Sequence, residues 1–269
     1  MQASDLHLVP DQYPLLRTAG QLHPLAGEDR LSADDLRSIT NELIQTTDRK
    51  RLDSVGDIDG AITCEDVRYR FNVFKRGREL CVAFRRLDDR FRSLGELGMP
   101  ESLYSLCDLP DGLIIVAGPT GAGKSTTLAA LIDRINRTYN AHIITIEDPV
   151  EYVHPPAKSL VNQRQVGADC GTFYDALVAS LRQDPDVILV GEIREISTIR
   201  TAITAAETGH LVFTTVHAGD CVGVLERLVS VFPAGEQDGV RRQLALVLRA
   251  VIAQQLLLAD GPQAQPGAH

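Results

Sequence analysis

The chain has 269 residues, 44% of them apolar and 23% charged, with 21 Gly and 13 Pro; this gives one large or two modest globular domains and excludes collagenous, low-complexity and wholly disordered chains. Acidic residues outnumber basic ones 36 to 27, a net charge of −9. That sign is wrong for a protein living on phosphate backbone, so no nucleic acid is expected as partner.

Five cysteines stand far apart without a CxxC pair, which signals neither a disulfide framework nor a zinc knuckle and points to a reducing compartment. No secretory leader opens the sequence, and the apolar stretch 244–259 is broken by Arg249, Gln254 and Gln255, so no transmembrane segment is expected.

In chain order, Ser32 and Asp35 form a capping-box pattern, and Leu36, Ile39, Leu43 and Ile44 recur at helical spacing, predicting a helix over about 33–50. Residues 58–63, 67–74 and 80–87 have strand composition, with Lys75, Arg76 and Gly77 as the turn between the last two. Residues 1–106 are thus expected to form a small α+β domain. The Leu-Pro-Asp-Gly turn makes 107–112 the linker.

From residue 113 strands and helices alternate. Strands are predicted at 113–117, 142–147, 160–164, 186–190 and 211–216, with helices at 124–138, 172–183, 195–208, 219–231 and 236–258. Apolar strands in such alternation predict an α/β domain over 113–259 with a mostly parallel, doubly wound sheet. Residues 260–269 mix Gly, Pro, Gln and Ala without period and read as a flexible tail.

Gly118, Pro119, Thr120, Gly121, Ala122, Gly123, Lys124 and Ser125, followed by Thr126, match GxxxxGK[ST] between an apolar strand and a helix. Glycines there let the backbone wrap a polyphosphate. Backbone N–H groups and the helix N-terminus face its charge, Lys124 reaches the β- and γ-phosphates of ATP, and the Ser125 hydroxyl ligates Mg²⁺. The alternative is an ordinary Gly-rich turn.

The run 184–192 is an apolar strand closing on Gly191 and Glu192, the shape of a Walker B element. Glu192 is placed to hold Mg²⁺ through water or to polarise the attacking water; as an alternative it caps a helix. A second acidic cluster, Glu147, Asp148 and Glu151 around Pro149, ends the strand 142–147 and is expected at the same sheet edge. His217 follows the strand 211–216 and is the better γ-phosphate sensor; His210 precedes that strand and is the poorer one.

With these elements in order, the chain resembles the secretion-superfamily ATPases that power type IV pili and type II and type IV secretion, and most closely the pilus retraction motors. "GPTGAGKSTTLAALID" resembles the family Walker A, "HIITIEDPVEYVH" its aspartate box, "DPDVILVGEIRE" its atypical Walker B and "AAETGHLVFTTVHA" its histidine box, while "SDLHL" and "LVNQRQVG" also fit. The resemblance implies a RecA-like P-loop ATPase domain preceded by a PAS-like N-terminal domain. It makes Glu192 the Mg²⁺-engaging group, Glu147 the likelier water-activating base (the two roles are exchangeable) and His217 the γ-phosphate sensor.

The segment "RYRFNVFKRGRELCVAFRR" places Arg68, Arg70, Arg78 and Arg85 on the family's arginine-bearing strands, where one or more would act across a subunit interface. Read from the residues alone, the hairpin is a cationic surface on an acidic protein, suited to phosphate. The family also implies a homo-hexamer, cytoplasmic and peripheral at the inner membrane, acting on a platform protein. Retraction motors continue into a helical C-terminal region with an Ala-Ile-Arg-Asn-Leu segment, which has no counterpart after Leu258, so either a cut chain or a divergent branch is expected.

The leading expectation is a motor that hydrolyses ATP with Mg²⁺ to drive pilus retraction; secretion or pilus assembly is the alternative direction. A nucleotide-gated adaptor to a paralogous ATPase is a second reading. A RecA-like DNA motor is disfavoured by the charge and by the absence of Trp.

Overall fold

The computed structural model describes residues 3–44, 46–65, 67–87 and 90–257, and the chain divides into two compact units, residues 1–89 and 90–269. In the first, β1 (Asp5–Leu8), β2 (Leu15–Thr18), β3 (Gln21–Pro24), β4 (Asp57–Cys64), β5 (Val67–Arg76) and β6 (Glu79–Arg86) form an antiparallel sheet in the order β3-β2-β1-β6-β5-β4. Alternation puts Ile58, Phe71, Val73 and Val82 on one face, where they pack with Leu36, Ile44 and Leu52 of the helical segment.

The capping box forms as expected, with Ser32 Oγ accepting from Asp35 N and Asp35 Oδ2 accepting from Ser32 N. The single helix over 33–50 does not: α1 (Ala33–Leu43) and α2 (Thr46–Val55) are separate, because Ile44 turns extended (φ −115°, ψ 144°) and drops into the core. The predicted turn at 75–77 also moves. Lys75 and Arg76 continue β5, and Gly77, with φ 66°, begins a two-residue turn with Arg78.

The second unit holds β7 (Gly112–Ala117), β8 (His142–Glu147), β9 (Leu160–Gln165), β10 (Val187–Val190), β11 (Leu211–Val216) and β12 (Leu248–Ala253) in the order β12-β7-β11-β10-β8-β9, with every neighbouring pair parallel. Its helices are α3 (Lys124–Thr138), α4 (Phe173–Ser180), α5 (Ile196–Glu207), α6 (Cys221–Ser230) and α7 (Ala234–Val247).

Strand residues alternate between two cores. Leu113, Ile115, Ile144, Ile188 and Val212 join one with α4 to α7, while Ile114, Val116, Ile143, Leu189 and Phe213 join the other with α3. Two-sided burial explains the unbroken apolar runs, and each fully covered Leu or Ile contributes roughly 1.5–3 kcal/mol.

Two expectations change here. The helix over 236–258 ends at Val247, and Leu248–Ala253 instead forms β12 beside β7. The exposed edge of β7 needs hydrogen-bond partners, and Leu248, Val251 and Ile252 supply them while packing on the two cores. Residue 258 and the tail 260–269 lie outside the described residues.

The division between units falls at 89/90 rather than at 107–112. Leu94 is fully buried, its N–H donates to Tyr104 Oη at 3.0 Å, and Arg134 of α3 lies 5.5 Å over the Tyr104 ring. These contacts tie residues 94–107 to the parallel-sheet unit. Among the described residues no helix is long and apolar enough to cross a membrane, and all five cysteines are free.

Candidate active site

The phosphate-loop sequence joins β7 to α3. Gly121 and Gly123 have φ of 79° and 84°, a region only glycine enters freely, and Gly123 caps α3 in this left-handed conformation. Lys124 is buried, and its Nζ donates to the carbonyls of Gly118 (3.0 Å) and Pro119 (2.9 Å). Burial lowers its pKa, while Glu192 and Glu151 pull the other way, so both carboxylates stand close to this cation.

Glu192 lies just past β10. Its carboxylate pairs with Arg194 at 2.8 Å, and His217 Nε2 stands 3.5 Å away. Burial, then the neighbouring Lys124, hold His217 below the ordinary imidazole value against the pull of Glu192, with Arg194 and Arg227 adding to the effect. The ring is therefore neutral at pH 7, and its contact with Glu192 is not an ion pair. Arg227 donates to the His217 carbonyl at 2.9 Å, and Thr215 Oγ1 donates to the Gly191 carbonyl at 2.6 Å, tying the ends of β10 and β11 together.

Glu147 ends β8. Its Oε1 accepts from Thr145 Oγ1 at 2.6 Å and from Gln163 Nε2 at 3.1 Å. Burial raises its pKa and the charge of Glu151 adds to the rise, while hydrogen bonds from Thr145, Gln163 and the Glu151 backbone N–H oppose it. A carboxyl displaced in this direction is a stronger base. His210 sits at the opposite end of β11, its ring held by Ala205 O at 2.9 Å, away from this edge.

The four arginines belong to the first unit. Arg85 pairs with Asp5 at 2.9 Å, Arg70 with Asp59 at 3.4 Å, and Arg68 donates to Thr63 Oγ1 at 3.2 Å; Arg78 is exposed at the hairpin turn.

Several supporting residues escaped the sequence reading. Arg194 is visible only through its pairing with Glu192. Tyr152 donates from its hydroxyl to Thr126 Oγ1 at 3.0 Å. Gln254 lies against the loop: its N–H donates to Ala117 O at 2.8 Å, and its Oε1 accepts from Thr127 Oγ1 at 2.9 Å. No motif marks Gln254; the signal would have been recognition of β12.

With a phosphate loop on β7, a carboxylate past β10 and a histidine past β11, the sheet edge is equipped for nucleotide chemistry. A family model described as "Type II/IV secretion system protein" matches residues 1–265. The chain is an ATPase of this family. It is 43% identical over 260 residues to the type IV pilus retractation ATPase PilT of Pseudomonas aeruginosa, covering 96% of this chain and 75% of that one. It is 42% identical over 257 residues to a twitching motility protein of Neisseria gonorrhoeae, covering 95% and 68%.

Among solved structures, the pilus retraction motor PilT with bound ADP superimposes with a TM-score of 0.87 at 43% identity, over 93% of this chain and 73% of that one. The fold of this ATPase, an antiparallel N-terminal unit followed in the chain by a parallel-sheet unit, agrees with the RecA-like and PAS-like expectation.

The donor set also fits Mg²⁺. Ser125 stands exposed in the first turn of α3, and Glu192 acts on the adjacent Lys124. Among the described residues no group of three His, Cys, Asp or Glu converges as a protein cage. One hydroxyl and one carboxylate suit an ion that keeps its waters and takes its remaining ligands from phosphate.

Proposed function

We propose that this ATPase converts ATP and water to ADP and phosphate as the motor of type IV pilus retraction, acting as a homo-hexamer in the cytoplasm on an inner-membrane platform protein. Similarity to a retraction ATPase and to a twitching motility protein supports the mechanical task. The observation that carries the chemistry is the convergence of Lys124, Glu192, His217 and Glu147 at the carboxyl edge of one parallel sheet.

Lys124 exchanges its carbonyl partners for the β- and γ-phosphates, and the turns at Gly121 and Gly123 bring backbone N–H groups to the same charge. Mg²⁺, held by Ser125 and through water by Glu192, would neutralise charge on the transferred phosphoryl group. Glu147 takes a proton from the attacking water on its carboxylate, aided by its raised pKa. His217, neutral and within reach of Glu192, donates to the γ-phosphate and reports its presence. Arg68, Arg70, Arg78 and Arg85 form the surface from which an arginine reaches a neighbouring subunit's phosphates.

The test is specific ATPase activity against protein concentration with Mg²⁺, with oligomeric mass read in parallel. Activity should climb as rings assemble, and Lys124→Ala and Glu192→Gln should each lose at least about 10²-fold in kcat, about 3 kcal/mol. Activity constant from the monomer upward refutes the shared site. Bound ATP without turnover at any concentration makes the chain an adaptor to a paralogous ATPase. Direction is read in a deletion strain: pili should persist without retracting, and continued retraction overturns that part.

A further inference from the structure

We propose that Gln163 is a positioning residue that holds the Glu147 carboxylate and the segment 150–154 in one frame. This rests on the reading of Glu147 as the base. The Gln163 amide is fully engaged: Nε2 donates to Glu147 Oε1 at 3.1 Å and to Tyr152 O at 2.8 Å, while Oε1 accepts from His154 N at 2.8 Å.

The placement follows from the sheet. Thr145 on β8 is paired with Gln163 on β9, so both side chains stand on the same face and both reach the carboxylate at the end of β8. Gln165, two residues on, accepts from Val150 N at 3.3 Å and fastens the start of the same segment. That segment carries Tyr152, whose hydroxyl donates to Thr126 Oγ1 beside Ser125. One neutral amide therefore links the base to the first turn of α3.

Neutrality matters to the chemistry. A lysine or arginine at 163 would hold Glu147 anionic but make it a weak base, whereas an amide orients the carboxylate and leaves it basic. The charged group that acts on Glu147 is Glu151 on its own segment; Asp148 follows Glu147 in sequence, and Glu192 lies past the neighbouring β10. Arg164 stands on the other face of β9, where it donates to Asp169 O, and Asp175 of α4 is taken up by Thr172. The donors to the carboxylate are Thr145, Gln163 and the Glu151 backbone N–H; Gln163 is the one that also holds the segment 150–154, and removing it should change the titration of Glu147.

The experiment is the pH profile of kcat for the full chain in its assembled form. Gln163→Leu removes the donor and should move the acidic limb up by about one pH unit, with the KM for ATP changed less than twofold. Gln163→Glu keeps the size and the acceptor for His154 N, sets a second carboxylate against the first, and should move the limb further. A lowered kcat with the limb unmoved in both variants overturns the proposal and leaves Gln163 a structural residue. Glu147→Gln, measured alongside, separates the two readings: wild-type turnover there removes the base and the proposal with it, whereas inactivity there leaves the Gln163 profiles to decide.

Discussion

The fit of β12 against the phosphate loop makes Gly118→Ala a sharper test of the site than loss of Lys124. Gly118 has a φ of 156°, and a Cβ on it would lie 2.4 Å from the Gln254 carbonyl oxygen and 3.0 Å from the Ala122 Cβ. Retreat is blocked on the first side, because Gln254 N donates to Ala117 O and its Oε1 is held by Thr127. Backbone strain of about 1–3 kcal/mol and overpacking of about 1–3 kcal/mol together give about 2–6 kcal/mol. Gly121→Ala is the control: its φ is 79°, and among the described residues nothing lies within 4 Å of the added methyl, so only left-handed strain of about 1–2 kcal/mol is added. At about 2–4 °C per kcal/mol for a unit of this size, Tm should fall by about 10 °C for Gly118→Ala and about 4 °C for Gly121→Ala. Differential scanning calorimetry and titration with a fluorescent ATP analogue read both effects, with weaker binding expected in the first variant. Equal melting temperatures would refute the seating of Gln254 behind the loop.

Gln254→Ala removes the bond to Thr127 and should cost about 1 kcal/mol and raise the KM for ATP, read by thermal melts and steady-state kinetics; an unchanged KM detaches β12 from the site. His154 is buried, its Nδ1 has no partner among the described residues, and burial drives its pKa down to about 4. Its stabilisation is complete above about pH 6.5 and is lost as pH falls toward the folded value, up to about 3 kcal/mol; His154→Phe, which keeps the ring contact with Phe91, should flatten urea-derived stability across that window. For Asp5, burial pushes the pKa up, but hydrogen bonds from Arg85 and Ser4 outweigh it and the net shift is downward. That contribution is complete above about pH 4 and is lost as pH falls through the lower folded value, so Asp5→Asn should destabilise by about 1–3 kcal/mol at pH 7 and progressively less as the pH is taken below about 4; a difference independent of pH rules out the ion pair with Arg85.

The legible part of this molecule was the part where one physical constraint writes the residues. Strands buried on both faces must be apolar throughout, so β7, β8, β10 and β11 were readable to within a residue or so. A loop that wraps phosphate must carry glycine at fixed offsets, so residues 118–126 were readable as well. β12 was not, because Val240, Leu244, Val247 and Val251 keep helical spacing straight through the helix-to-strand junction. Only the open edge of β7 decides that Leu248 onward extends. The same blindness hid Gln254, Gln163 and Tyr152, polar side chains whose partners come from distant parts of the chain.

Strand order then explains why four scattered motifs make one site. Along the chain they run from the phosphate loop to Glu147, Glu192 and His217, but the sheet runs β7-β11-β10-β8, so in space His217 lies beside the loop, Glu192 next, and Glu147 last. Parallel pairing brings all four strand ends to one edge. The histidine and both carboxylates therefore approach Lys124 from one side, although 93 residues separate Lys124 from His217. A conservative change that shifted the register of β10 against β8, where Val190 pairs with Ile146, would turn Glu192 away from His217 without touching either residue.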